Sequence, residues 1–120
     1  LHEWDSTTHT YICEGQFDAM LLPNAMAVGG SDLTKVKEIV DKSKTVFVFD
    51  NEPRNAEIVK KMRRLVSQGF MVCIWPSAIE QKDINDMVLA GSKPSSVKKV
   101  IDLNTFSGLG AEWSLNEWSR

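Results

Sequence analysis

The chain has 120 residues, with 14 Lys and Arg against 16 Asp and Glu and a formal charge of −2. At 42% apolar and 25% charged it has the composition of one globular domain, and its charge balance excludes a generally basic nucleic-acid coat or a polybasic membrane binder. No apolar run approaches the roughly 20 residues of a membrane span, and Cys13 and Cys73 lack the C-x-x-C spacing of a zinc ribbon.

In chain order, Thr10 to Cys13 is a first short apolar run, followed by a short helix over Gln16 to Leu22. Asn24 to Val28 reads as a second, weaker strand closed by Gly29-Gly30. Ser31 or Asp32 can cap a helix from Leu33 to about Asp41, in which Leu33, Val36, Ile39 and Val40 recur at helical spacing. Thr45 to Phe49, β-branched and aromatic, is the clearest strand. Pro53 is expected to open the longest helix, with Ile58, Val59, Met62, Leu65 and Val66 as its apolar stripe and Gly69 just past its end. Met71 to Trp75 is the fourth strand, and helices over Asp83 to Ala90 and Pro94 to Ile101 follow. Ser107 to Gly110 reads as a flexible joint, leading to a short amphipathic helix, Ala111 to Trp118, that docks back on the domain.

Apolar strands alternating with helices imply a parallel sheet covered on both faces, hence a three-layer α/β/α sandwich with a mainly parallel four-stranded sheet. The expected organisation is an N-terminal extension over residues 1–9, one domain over 10–102 and a tail over 103–120. The N-terminus, with His2, Glu3 and Asp5, lacks a signal-peptide layout. With two lone cysteines, this points to a reduced, cytoplasmic setting. Because the chain opens on Leu1, it is expected to be an excised part of something larger.

Ligands of open parallel sheets sit beyond the carboxyl ends of the strands. Glu14-Gly15 and Asp18 follow the first strand, Gly29 to Asp32 the second, Asp50-Asn51-Glu52 the third, and Lys82 to Asp86 come after the fourth. Carboxylates brought together in this way repel one another and favour a cation. Hard oxygen ligands suit Mg2+ or Mn2+, which also bind phosphates. Gly15 and Gly30 would let a phosphate approach the backbone, and Arg54 and Lys82 stand where they could orient it. The reaction class is phosphoryl or nucleotidyl transfer. Each piece also has a plainer reading: Glu14-Gly15 as a turn, Asp50 to Glu52 as helix-capping acids, and Asp83 as an N-cap.

A Glu-Gly-x-x-Asp-Ala run over Glu14 to Ala19, an acid pair spaced by one residue at Asp50 and Glu52, and a Lys-Asp-x-Asn-Asp run over Lys82 to Asp86 together resemble the Toprim domain. Asp50 to Asn55 and the region from Asn104 look most like bacteriophage DNA primases. The resemblance implies that Glu14, Asp50 and Glu52 are metal-site acids with catalytic roles, and that Asp18 and Asp83 are additional acids serving a second metal or its waters. The family's Asp-x-Asp is Asp50-x-Glu52 here, and Asn85 stands where bacterial primases often carry Asp. For Glu14 and Asp50 to share a metal, strands one and three must be neighbours, which favours the order 2-1-3-4.

The resemblance further implies synthesis of RNA primers, with nucleoside triphosphates and a single-stranded DNA template as ligands and a replicative helicase as a possible partner, in the host cytoplasm of a phage. The zinc module and basic platform of such a primase are missing, so this segment alone is not expected to make primers. A Toprim nuclease that activates water at the same site is an alternative. A non-catalytic Toprim module that binds DNA or a replication partner is another. Lys60, Lys61, Arg63 and Arg64 read as a solvated helix face. Trp75 reads as a cover for the sheet end, and Tyr11 as core.

Overall fold

The computed structural model describes residues 9–14, 19–22, 25–28 and 33–120. Its centre is a sheet of β1 (Thr10–Cys13), β2 (Ala25–Ala27), β3 (Thr45–Val48), β4 (Met71–Cys73) and β5 (Thr105–Phe106), in the order β2-β1-β3-β4-β5. The first four strands pair in parallel, and β5 runs antiparallel along β4. The sheet thus has five strands where four were expected. β4 is shorter than the apolar run Met71 to Trp75, but Ile74 continues its pairing with β5, its N–H donating to the Asn104 carbonyl at 2.9 Å in the same register.

Side chains alternate across a strand, so the apolar runs feed two cores. Ile12, Phe47, Phe49, Val72 and Ile74 project to one face, where α1 (Leu33–Ile39), α2 (Ala56–Ser67) and α5 (Gly108–Ser119) cover them. Tyr11, Cys13, Val46, Val48, Cys73 and Trp75 project to the other, beneath α3 (Ile84–Leu89) and α4 (Pro94–Leu103). β3 is buried along its whole length because both faces are roofed, which is why it reads as an unbroken apolar run. Of the expected helix after β1, the described part is Ala19–Leu22, with Ala19 and Met20 helical.

α2 begins three residues later than Pro53. Asn55 is its N-cap, the side chain accepting from the Glu57 and Ile58 N–H groups, and Pro53 and Arg54 form a turn before it. The helix ends in a Schellman arrangement: Gly69 N–H donates to Val66 O and Phe70 N–H to Leu65 O, with Gly69 at φ 86°. Only glycine takes that backbone without strain.

Gly108 and Gly110, expected in a joint, lie in the first turn of α5. Ala111 and Leu115, one helical turn apart, are fully buried against α2 and the sheet. Burying Leu115 is worth roughly 1.5–3 kcal/mol. Trp113, on the same helix, remains 69% exposed. Among the described residues no helix is long and apolar enough to cross a membrane.

Candidate functional site

The parallel register sets Cys13 beside Val48, so the chain emerges from β1 at Glu14 and from β3 at Phe49-Asp50 on one edge of the sheet. Glu14 is half-buried and pairs with Lys61 Nζ of α2 at 2.8 Å. The sequence places Lys61 on a solvated basic face of the helix. It reaches the edge because α2 packs over the face to which Ile12, two residues before Glu14, projects. With both side chains about a quarter exposed, at 28% and 27%, such a pair is worth only about 0–1 kcal/mol.

Beyond β3, Asn51 lies between the two acids and organises the edge. Its backbone N–H donates to Lys82 O, and its side-chain amide donates to Ile79 O at 2.9 Å and Gln81 O at 3.1 Å. Its Oδ1 accepts from the Trp118 indole N–H at 3.0 Å. One side chain therefore joins the end of β3, the loop after β4 and the C-terminal half of α5. Sequence reasoning passed over Asn51 as a spacer. The available signal was an amide, both donor and acceptor, placed where a strand end must satisfy a loop.

The bond from Asn51 to Lys82 brings residues 50–52 against the Lys82-Asp83 segment. Asp83 uses Oδ1 to cap α3, accepting from Asp86 N–H at 2.8 Å, so its plainer role as an N-cap is real. Lys82 Nζ stands 3.9 Å from Asp83 Oδ2 and is half exposed. Asp50 and Glu52 are half-buried and do not cap α2, since Asn55 does that. Arg54 is directed away from the acids, its Nη1 donating to Ser119 O at 3.1 Å. Gly15, Asp18, Gly30 and Asp32 lie outside the described residues.

The donor chemistry of Glu14, Asp50 and Glu52, all hard oxygens, suits Mg2+ or Mn2+. Among the described residues, however, no three of His, Cys, Asp and Glu are gathered closely enough to form a metal-binding group. The fit is thus one of ligand type and of shared sheet edge, with Glu14 turned to Lys61.

A second polar cluster lies beneath α4. The Tyr11 hydroxyl donates to Asp102 Oδ1, Lys98 Nζ pairs with Asp102 Oδ2 at 2.8 Å, and the His9 ring stacks edge-on against Tyr11. Burial and the bond to Asp102 push the Tyr11 hydroxyl well above its usual range. Burial lowers His9, with Lys98 assisting and Asp102 opposing. Burial likewise raises the Cys73 thiol, with Cys13 adding to it. These groups are protected from ionisation, and Tyr11 is core, as its sequence position implied.

No protein-family profile matches the chain. Over 112 residues, 92% of its length, it is 32% identical to the DNA primase of Enterobacteria phage T4. The chain is therefore related to part of a phage DNA primase. It spans about a third of that relative, covering 32% of its length.

Proposed function

We propose that the chain is the Toprim-type catalytic unit of a DNA primase, joining nucleotides into RNA primers in a metal-dependent reaction. What carries this reading is the pairing of β1 with β3, which brings Glu14 and Asp50 to one edge in a chain related to a phage primase. The Toprim-like unit would occupy residues 10–102, with 103–120 packed on it. In the whole protein a single-stranded DNA template and nucleoside triphosphates would be its ligands. A replicative helicase would be a further partner, and the host cytoplasm the setting.

Glu14, Asp50 and Glu52 would hold Mg2+, with Asp18 and Asp83 supporting a second ion or its waters. A bound ion would supply positive charge against the phosphorus centre being transferred. Asn51 fixes the backbone between Asp50 and Glu52 so that both carboxylates start from a rigid turn. Lys82 would steer the triphosphate, whereas Arg54, tethered to Ser119, would act further out. Release of Glu14 from Lys61 is a small cost, since this partly exposed pair contributes about 1 kcal/mol or less.

One observation favours a second reading, a non-catalytic module: Glu14 is already neutralised by Lys61. An amide-shift titration with Mg2+ separates the two. Metal binding would move Glu14, residues 50–54 and residues 82–86, and Glu14→Gln with Asp50→Asn would abolish the shifts. Absence of any such shift would sink the metal reading. Normal primer synthesis by the complete protein carrying Asp50→Asn would sink the catalytic one.

A further inference from the structure

Beside the acidic edge, a cavity of about 630 Å³ opens between the loop after β4, the start of β5 and α5. Its apolar walls include the flat side chains of Pro76, Phe106, Trp113 and Trp118 beside Ile74 and Ile79. Ser77, Asn104 and Ser114 add hydrogen-bonding groups, and the charges are Glu80 and Glu117, the latter paired with Arg120, with no Lys or Arg in the lining. Such walls suit a planar heterocycle with polar edges and repel a phosphate. The tryptophans are not equivalent. The indole N–H groups of Trp75 and Trp118 are committed to Phe49 O and Asn51 Oδ1, whereas Trp113 is 69% exposed.

Pro53 lines this cavity and also a second, shallower one of about 470 Å³, whose other walls include Arg54, Lys60, Arg63 and Ser119. Arg54 and Arg63 are held in place by α5, through Ser119 O at 3.1 Å and Asn116 Oδ1 at 2.8 Å, and each keeps further N–H donors. An aromatic, acid-rimmed hollow thus adjoins a cationic one, with a proline as the common wall. This is the charge pattern of a base joined to its phosphate.

We propose that these adjoining hollows form one binding site for an unpaired nucleotide, its base stacked on Trp113 and its phosphate against Arg54, Lys60 and Arg63. The site deepens the primase reading by naming where a base would rest. Asn51 lies in its wall and between the two acids, so the base stands next to the proposed reacting edge. An α5 with exposed Trp113 and buried Leu115 then has two jobs on two sides: Leu115 fastens the helix to the sheet, and Trp113 faces the ligand.

The test is a binding titration in a chelating buffer, so that it does not depend on whether the acids hold metal. A short single-stranded thymidine oligomer is expected to quench tryptophan fluorescence and to shift the amides of Ser77, Asn104 and Ser114. Trp113→Ala should weaken binding by about tenfold, as for other base–aromatic stacks, with Trp113→Phe restoring most of it. Lys60→Gln should lower the salt slope of log affinity by about 0.7, one phosphate contact on a single strand. If a nucleoside triphosphate produces the same shifts, the occupant is a free nucleotide; if only the oligomer does, it is a strand, and both support the site. Unchanged binding in Trp113→Ala, equal binding of duplex, or the same shifts from inorganic triphosphate alone would overturn it. The Mg2+ titration of Asp50→Asn is read separately, so this site and the metal site can fail independently.

Discussion

Beneath α4, Tyr11, Asp102 and Lys98 bond one another, whereas Glu14, Asp50, Glu52 and Asp83 are brought to the carboxyl edge by three separate segments and stay half-exposed. In the first cluster each charge is answered by a neighbour, and burial discourages any change of state. At the edge, Glu14 has a weak partner in Lys61, Asp83 spends one oxygen on a cap, and Asn51 ties the end of β3 to the loop before Asp83. A cluster closed on itself contributes to the fold. The edge acids, positioned by backbone and amide bonds and half-exposed, remain reachable from outside. The comparison is useful because the two clusters should respond to mutation in opposite ways.

The largest effect belongs to the open edge. Asp50→Asn should lower primer synthesis by the complete protein by about a hundredfold to a thousandfold, the scale of losing one electrostatic stabiliser at a reacting centre. Its unfolding free energy in urea should change by no more than about 0.5 kcal/mol, as for other sites outside the core. A large loss of stability with intact synthesis would place Asp50 among the structural charges and collapse the distinction.

The closed cluster should behave in reverse. Asp102→Ala leaves Lys98 and the Tyr11 hydroxyl without their acceptor, at a cost of about 2–3 kcal/mol. That is below the figure for a fully buried pair, because the two side chains retain 14% and 15% exposure. Tyr11→Phe should cost about 1 kcal/mol, one hydrogen bond. Chemical denaturation measures both, and Mg2+-induced shifts at Glu14 should survive either change.

Asn51 bridges the two behaviours. Asn51→Ala removes three side-chain bonds, two of them to loop carbonyls that solvent can partly recover, so about 1–2 kcal/mol is expected. Combined with Trp118→Phe, the double substitution should cost less than the sum of the singles, since the two share one bond. Strict additivity would mean that the indole does not hold the edge.

Much of this was legible in the residues. The run Thr45 to Phe49 marks a strand roofed on both sides, and Ile58, Met62, Leu65 and Val66 mark the buried stripe of α2 because helical spacing is a local property. What escaped reading depends on partners distant in sequence. β5 is two residues long and exists because β4 offers an edge to it, and Pro53 does not start α2 because Asn55 caps it better. Lys61 looks like any solvated lysine until α2 is laid across the sheet beside Glu14. Arg54 sits next to acids in sequence, but the carbonyl at the end of α5 takes it away from them.

The smallest effect concerns His9, which is 7% exposed at the margin of the closed cluster. Burial lowers its pKa, Asp102 pulls it back up, and Lys98 pushes it down again. With the folded value below the ordinary imidazole value of about 6.5, the unfolded chain takes up this proton first as the pH falls. The neutral ring therefore contributes its stability above about pH 6.5, and that contribution is lost as the pH falls through the folded value. One proton sets the ceiling, a slope of about 1.4 kcal/mol per pH unit. Denaturation of the protein and of His9→Phe across this range isolates the term, because other carboxylates and lysines are common to both. The difference should grow only on the acid side. Asp102→Asn, which removes the opposing charge, should lower the folded pKa further and extend the loss to lower pH. A difference that is flat with pH would show that His9 meets solvent freely, and the cluster beneath α4 would then be less closed than its bonds imply.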